Sequence, residues 1–358
     1  MIQKLPIHVS LLTDESLSSW LIRIALEHGC DPLVLTGNIW PKWRIWTTDL
    51  DRQLTTAKCR ELALVTGAKE SLIQQAFLSH WAQSFSSMPL PKHGIWPWVL
   101  ALGVRNRTYR GGVQFCPLCF HNDTRPYFRR YWRFAWVTSC LEHNIQLVDR
   151  CPSCKIPIEP HRLEAINAQT LNFCSSCHFN LSHSPSEEAS KEISSFQYQA
   201  FSNLISGNAE INQKSVSTNQ WFDACHYLII LIKRSKSLPH SSLAKAIYES
   251  GLHELYTQPA FNFQLELLSV QARKHLITNL HQLLNNIDVL TDNLKLQNVT
   301  KNSLISTGYH YPSSLGFLLD NLFMNKRKSP KSRTPSARIK SKSAVLKAWA
   351  QLKRKYRI

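Results

Sequence analysis

Cys116-Pro-Leu-Cys119, Cys140-Leu-Glu-His143, Cys151-Pro-Ser-Cys154 and Cys174-Ser-Ser-Cys177 follow one another within 62 residues. A two-residue gap lets both donors of one turn reach a single tetrahedral ion at about 2.3 Å, and four such pairs make two complete four-donor sets. Taken in order, the first set is three cysteines and a histidine and the second is four cysteines. Each set leaves no open position for a water or substrate, so the expected cofactor is two structural Zn2+ per chain. Spacing leaves two pairings open, sequential or cross-braced. His121, His161, His178 and His183 lie close enough in sequence to replace a ligand. Cys30, Cys59 and Cys225 stand alone in or beside helical patterns and read as small core residues.

Between the first two pairs runs Tyr127-Phe-Arg-Arg-Tyr-Trp-Arg-Phe-Ala-Trp-Val137. Period-two alternation predicts a strand with Phe128, Trp132, Phe134 and Trp136 inward, interrupted by Arg130, and with Arg129, Tyr131 and Arg133 on the other face. Interleaved arginine and aromatic residues suit nucleic acid or a protein interface. Arg105, Arg107, Arg110, Arg125, Arg129, Arg130 and Arg133 form a basic concentration over 101–140 against one acid, Asp123.

Upstream, Asp14 is the expected cap of a helix carrying Leu17, Trp20, Leu21 and Ile24, which Gly29 ends. A Trp-rich connection (Trp40, Trp43, Trp46) leads to a helix over Thr56–Thr66, a turn at Gly67 and a second helix over Lys69–His80. This spacing is that of a helix-turn-helix, with Lys69, Glu70, Ser71, Gln74 and Gln75 exposed on the second helix. Glutamine reads adenine bidentately, yet one lysine beside one glutamate anchors phosphate weakly. The pair is either a base reader or a structural and docking element.

Downstream, the polar stretch 184–195 reads as a linker. Helical stripes follow: Trp221, Cys225, Leu228, Ile229 and Ile232; then Leu243, Ile247 and Tyr248; then a long run from Phe263 to Leu296. The expected organisation is a helical, helix-turn-helix-like region over 1–100, tandem zinc modules over 101–183, the linker, a helical domain over 196–324, and a basic tail over 325–358. The fold class is mainly α with small zinc-stabilised β or irregular modules.

Composition bounds the partners. The chain has 358 residues, 42 Lys and Arg against 24 Asp and Glu, and a net charge of +18. Thirteen of those basic residues and no acid lie in 325–358, among them Lys326, Arg327, Lys328, Lys353, Arg354 and Lys355. A flexible basic arm ending in an amphipathic helix (Val345, Leu346, Trp349, Leu352, Tyr356) suits nucleic acid. No apolar run approaches the ~20 residues of a membrane span, and the start lacks the apolar core of a signal peptide. The expected location is cytoplasmic, with no membrane partner. No clustered carboxylates for Mg2+ are visible, which argues against a nuclease or transposase.

Several segments together resemble one known family. Asp14-Glu-Ser-Leu-Ser-Ser-Trp-Leu-Ile-Arg-Ile-Ala25, Phe115-Cys-Pro-Leu-Cys119, Tyr127 to Trp136, Cys140 to His143 and Leu147-Val-Asp-Arg-Cys-Pro-Ser-Cys154 are similar, in content and order, to the TniQ/TnsD family of transposon target-selection proteins. The likeness spans roughly residues 5–180. It implies a non-catalytic adaptor that joins a target-recognition device to the transposon AAA+ ATPase and, through it, to the transposase. Some relatives recognise a chromosomal DNA site directly. Shorter ones ride on a CRISPR RNA-guided effector and often act as homodimers. The length of this chain matches the shorter kind, whereas its basic tail suits a direct DNA binder. The alternative class is a stand-alone zinc-containing helix-turn-helix regulator.

Overall fold

The computed structural model describes residues 4–102, 113–252, 263–305, 308–320 and 322–324, with Ser343, Leu346 and Trp349–Gln351 near the C-terminus. Met1–Phe323 form one unit and Met324–Ile358 a second. Ser343, Leu346 and Trp349–Gln351 of the second unit are helical. The first unit is mainly helical, as the apolar periodicity predicts.

Five short helices open the chain: α1 (Leu17–Glu27), α2 (Pro32–Ile39), α3 (Thr56–Thr66), α4 (Glu70–Gln75) and α5 (Ser79–Ala82). Ser16, not Asp14, caps α1, its hydroxyl accepting from the Ser19 N–H at 3.2 Å. Asp14 accepts instead from the Tyr127 hydroxyl at 2.9 Å, tying the helix entrance to the aromatic stretch. Helix α1 divides two cores. Leu17, Trp20, Leu21, Ile24 and Ala25 pack with Cys59, Leu62 and Ile73 of α3 and α4, while Ile22 and Leu26 join a second cluster that extends to Leu322. Its buried Arg23 is neutralised by Glu15 in a two-pronged pair of 2.7 and 2.5 Å.

Helix α3 has the expected bounds. Thr55 caps it and Gly67, at φ +74°, supplies the left-handed turn that glycine adopts without a Cβ clash. The second helix expected over Lys69–His80 is instead broken into α4 and α5. Phe77 and Leu78 are buried there, and the Leu78 N–H leaves the helical ladder to donate to the Asp51 carbonyl at 2.8 Å.

The strand expected over 127–137 is a correction of a different kind. Arg130–Arg133 form a 3-10 turn. Among the described residues the strand-like pairing of this stretch is limited to isolated bridges, Glu15 with Arg129 and Val99 with Phe134, and other backbone groups find separate partners: Arg130 N–H the Asp14 carbonyl, Ala135 N–H the Trp98 carbonyl. The bulky rings turn inward as one cluster, with Phe134 stacked on Trp136 and Trp136 against Phe201 at 4.6 Å.

After the metal region, α7 (Lys191–Ser206) begins inside the stretch read as a linker, and Glu187 and Glu188 pair with Gln146 and Ile145. Gly207 ends α7 and starts a two-stranded antiparallel hairpin, β1 (Asn208–Ile211) with β2 (Lys214–Ser217). Helix α8 (Thr218–Ser237) follows, started by a capping box between Ser217 and Gln220. Its buried Trp221, Cys225, Leu228, Ile229 and Ile232 reproduce the stripe read from sequence. Helices α9 (Ser242–Glu249), α10 (Val270–Asn285), α11 (Ile287–Leu296) and α12 (Lys301–Ile305) complete the unit. The run expected to be continuous from Phe263 to Leu296 bends at Asn286, whose side chain donates to the Ser250 carbonyl and brings α11 against α9.

Candidate metal centres

Three of the four ligand pairs share one backbone device. The N–H of the first ligand bonds to the carbonyl five residues on: Cys140 to Ile145, Cys151 to Ile156, Cys174 to Phe179, at 2.8–2.9 Å. The residue after the second ligand then turns left-handed, with φ of 48° at Asn144, 61° at Lys155 and 58° at His178, and returns its N–H to the first cysteine's carbonyl. Each knuckle thereby aims two donors to the same side. The fourth pair is built differently. Cys116 is the N-cap of α6 (Pro117–Asn122), and its sulfur accepts from the Cys119 N–H at 3.4 Å.

The pairing is sequential. Cys116, Cys119, Cys140 and His143 form one group and Cys151, Cys154, Cys174 and Cys177 the other, with the donor atoms of each within 4.8 Å of one another. In the first, Cys119 Sγ lies 3.5 Å from Cys140 Sγ, and His143 Nδ1 is 3.4–3.6 Å from all three sulfurs. In the second, Cys151–Cys177 and Cys154–Cys174 are 3.6 and 3.7 Å apart. Bonds of ~2.3 Å in a tetrahedron give sulfur–sulfur edges of about 3.8 Å, so both sets fit one thiophilic cation each. These separations are far beyond a disulfide bond, and all ten cysteines are free.

Electrostatics agree with the fit. In the protein alone, hydrogen bonding to Cys116 and Cys140, then burial, push the Cys119 thiol up, while hydrogen bonding from Cys116 and Cys119 holds Cys140 down. Three thiolates at this spacing repel one another, and a divalent cation removes that conflict. Asn122 Nδ2 lies 3.1 Å from His143 Nε2, so with Nδ1 facing the sulfurs the ring is also held from its other side. Histidines 121, 161, 178 and 183 belong to neither group.

Glu142, between two ligands, was not singled out by sequence reasoning, yet it links the first centre to the arginines. Its Oε1 accepts from Arg129 Nε at 3.2 Å, and Arg129 also grips Asp123 at 3.0 and 3.1 Å. Arg133 pairs with Asp49 at 2.7 Å and with Asp51, and donates to the Leu100 carbonyl. Both guanidiniums are buried and taken up by carboxylates, so neither faces an outside phosphate. Arg130 is half-buried and donates to the Gln75 and Thr13 carbonyls, clamping the end of α4. Lys69, Gln74 and Gln75 are exposed on the α4 segment, as expected. Arg105, Arg107, Arg110, Lys326, Arg327, Lys328, Lys353, Arg354 and Lys355 lie outside the described residues. The partners of Arg133 are 82 and 84 residues away in sequence, a separation at which no local pattern signals a pair. No helix among the described residues is long and apolar enough to cross a membrane.

The model of the TniQ family matches residues 6–147, which hold α1–α6 and the whole first donor group. No curated protein matches the chain. Residues 6–147, less than half of the chain, are thus similar to the TniQ family.

Proposed function

We propose that the chain is a non-catalytic adaptor in DNA transposition, linking a target-recognition element to the transposon AAA+ ATPase and transposase. The observation that carries this reading is the TniQ match across residues 6–147, which takes in both the N-terminal helices and the first four-donor group. The recognition element is a CRISPR RNA-guided effector or a DNA site, reached with or without RNA. Two structural Zn2+ ions are the metals we assign to the donor groups. Cys116, Cys119, Cys140 and His143 hold one ion, and Cys151, Cys154, Cys174 and Cys177 the other. A closed four-donor shell supplies folding energy and leaves no position for chemistry.

The test is co-purification of the full chain with the ATPase encoded beside it and with any neighbouring guide-RNA effector. Association with either supports the adaptor, and association with neither refutes it. Sedimentation of the free chain reports whether it is a homodimer. Deleting residues 325–358 is expected to weaken nucleic-acid or partner binding while leaving the fold intact.

One observation favours a second reading, a stand-alone DNA-binding regulator. The α3–Gly67–α4 corner leaves Lys69, Ser71, Gln74 and Gln75 exposed together. That reading requires tight binding to one defined duplex without partners, with affinity falling steeply as salt rises.

A further inference from the structure

A cavity of about 260 Å3 opens beside α8, away from both metal centres. Its walls are apolar, with Ile95, Pro97, Ile230 and Pro312 among them, and its rim carries the exposed Met88. Polar side chains line it too, Gln264 and His310 among them, and with them Asp223 and His226, one turn apart on α8, and Glu266.

The two carboxylates are engaged on one side only. Glu266 Oε1 accepts from the Trp98 N–H at 2.8 Å and meets His226 Nε2 at 3.1 Å. Asp223 Oδ2 accepts from the Ser87 N–H at 2.8 Å and from its hydroxyl. Glu266 Oε2 and Asp223 Oδ1 accept no hydrogen bond from any other described residue. Yet the Glu266 side chain is only 2 % exposed. His226, the Trp98 N–H and its own backbone N–H outweigh the effect of burial and hold its carboxyl below the usual value, so it is ionised at neutral pH. Lys233 feels the Glu266 charge, but its ammonium donates to the Phe263 carbonyl. A buried carboxylate with a spare oxygen, lining a cavity with Ile95, Pro97, Ile230 and Pro312, is matched by a long aliphatic stem ending in a cation.

We propose that this cavity receives a lysine or arginine side chain from a partner protein, the stem lying along Ile95, Ile230 and Pro312 and the cation bonding to Glu266 and Asp223. The exposed Met88 and Tyr309 at the mouth give the donor's backbone an apolar surface to cover. A solvated free amine would leave that surface exposed. Met88, Ile95 and Pro97 belong to the stretch matched by the TniQ family, but the site uses neither metal centre, and the peptide test below needs no transposition partner.

The experiment titrates the full, zinc-replete chain with three fluorescent-tagged pentapeptides that are alanine except for a central arginine, lysine or glutamine. Saturable binding of the arginine and lysine peptides, with the glutamine peptide at least ~10-fold weaker, is the expected result. Asp223→Asn keeps the Ser87 contact and Glu266→Gln keeps an acceptor for Trp98. Each is expected to weaken the basic peptides by about 10-fold and leave the glutamine peptide unchanged. If Glu266→Gln unfolds, Asp223→Asn and the peptide series still decide. Equal binding of all three peptides, no effect of Asp223→Asn, or binding of free arginine amide as tight as that of the peptide would each overturn the proposal.

Discussion

Arg129 and Asp123 form a two-pronged ion pair, at 3.0 and 3.1 Å, whose guanidinium is buried while its Nε reaches Glu142 beside the first metal centre. Tyr127 and Trp132 sandwich the same guanidinium at 4.5 and 5.0 Å, and Arg129 bridges the backbone of Glu15. The residue therefore joins the entrance of α1 to the metal module. A Cys3His centre holding a divalent cation carries net negative charge, which a buried arginine offsets.

Arg129→Met should then be costly, because it strands Asp123 and Glu142 near the thiolates. The expected loss is about 3 kcal/mol of unfolding free energy. Glu142 is half exposed, which holds the figure at the low end of what breaking a buried pair costs. Urea unfolding followed by circular dichroism measures it. An unchanged midpoint would show that the pair is decorative.

The two metal centres should differ in what they stabilise. The first set keeps three ligand candidates, Cys116, Cys119 and Cys140, buried in the main cluster; the second keeps two, Cys151 and Cys174, with Cys154 half-buried and Cys177 exposed. Chelator should strip the second centre first, giving a two-step release of about two zinc ions per chain in a colorimetric assay. Cys116→Ser should abolish soluble protein, and Cys177→Ser, at the exposed position, should leave a folded chain with one ion. Single-step release, or equal damage from both variants, contradicts this ranking.

The two donor groups were legible because ligation is a local spacing rule, and the C-x2-C and C-x2-H pairs do come together in two sets of four that could each hold an ion. Pairing order was not, since it depends on how Ile145, Ile156 and Phe179 close their knuckles. Helices α3 and α8 were legible from caps and periodicity. The 127–137 stretch misled because alternation of large and charged residues suits a strand only when a neighbouring strand exists. Arg129 and Arg133 read as surface cations because their neutralising partners, Asp49 and Asp51 for the latter, come from distant sequence. A buried arginine looks like an exposed one until its carboxylate is located.

Acid should expose the weight of Glu266. Burial alone would raise its carboxyl, but His226, the Trp98 N–H and its own backbone N–H hold it below the ordinary 4.5. Arg273 and Lys233 also lie within reach of its charge. A carboxylate with a lowered folded-state value contributes stability that is complete above the unfolded value and is lost as pH falls through the folded one. Thermal melts below about pH 4.5 should therefore drop more steeply for the native chain than for Glu266→Gln, with the two curves parallel above pH 6. Parallel curves throughout would show that Glu266 does not titrate on unfolding.

The hairpin turn offers the opposite test, a gain. Asn212 and Gln213 connect β1 to β2 with φ of 49° and 59°, the left-handed pair of a two-residue hairpin turn. Asparagine tolerates that region, but glutamine carries a Cβ that crowds the following carbonyl at a cost of roughly 1–2 kcal/mol. Glycine removes the crowding and adds flexibility to the unfolded chain, which returns part of the gain. Gln213→Gly should stabilise the protein by about 0.5–1 kcal/mol. Gln213 is exposed, and its side chain makes no hydrogen bond among the described residues, so nothing else is lost. The hairpin leads straight into the capping box of α8, so the gain should appear in the unfolding of the whole helical half rather than as local fraying. Urea midpoints of Gln213→Gly and Gln213→Ala, compared at constant m-value, measure it. Alanine keeps the Cβ, so it should show little of the gain.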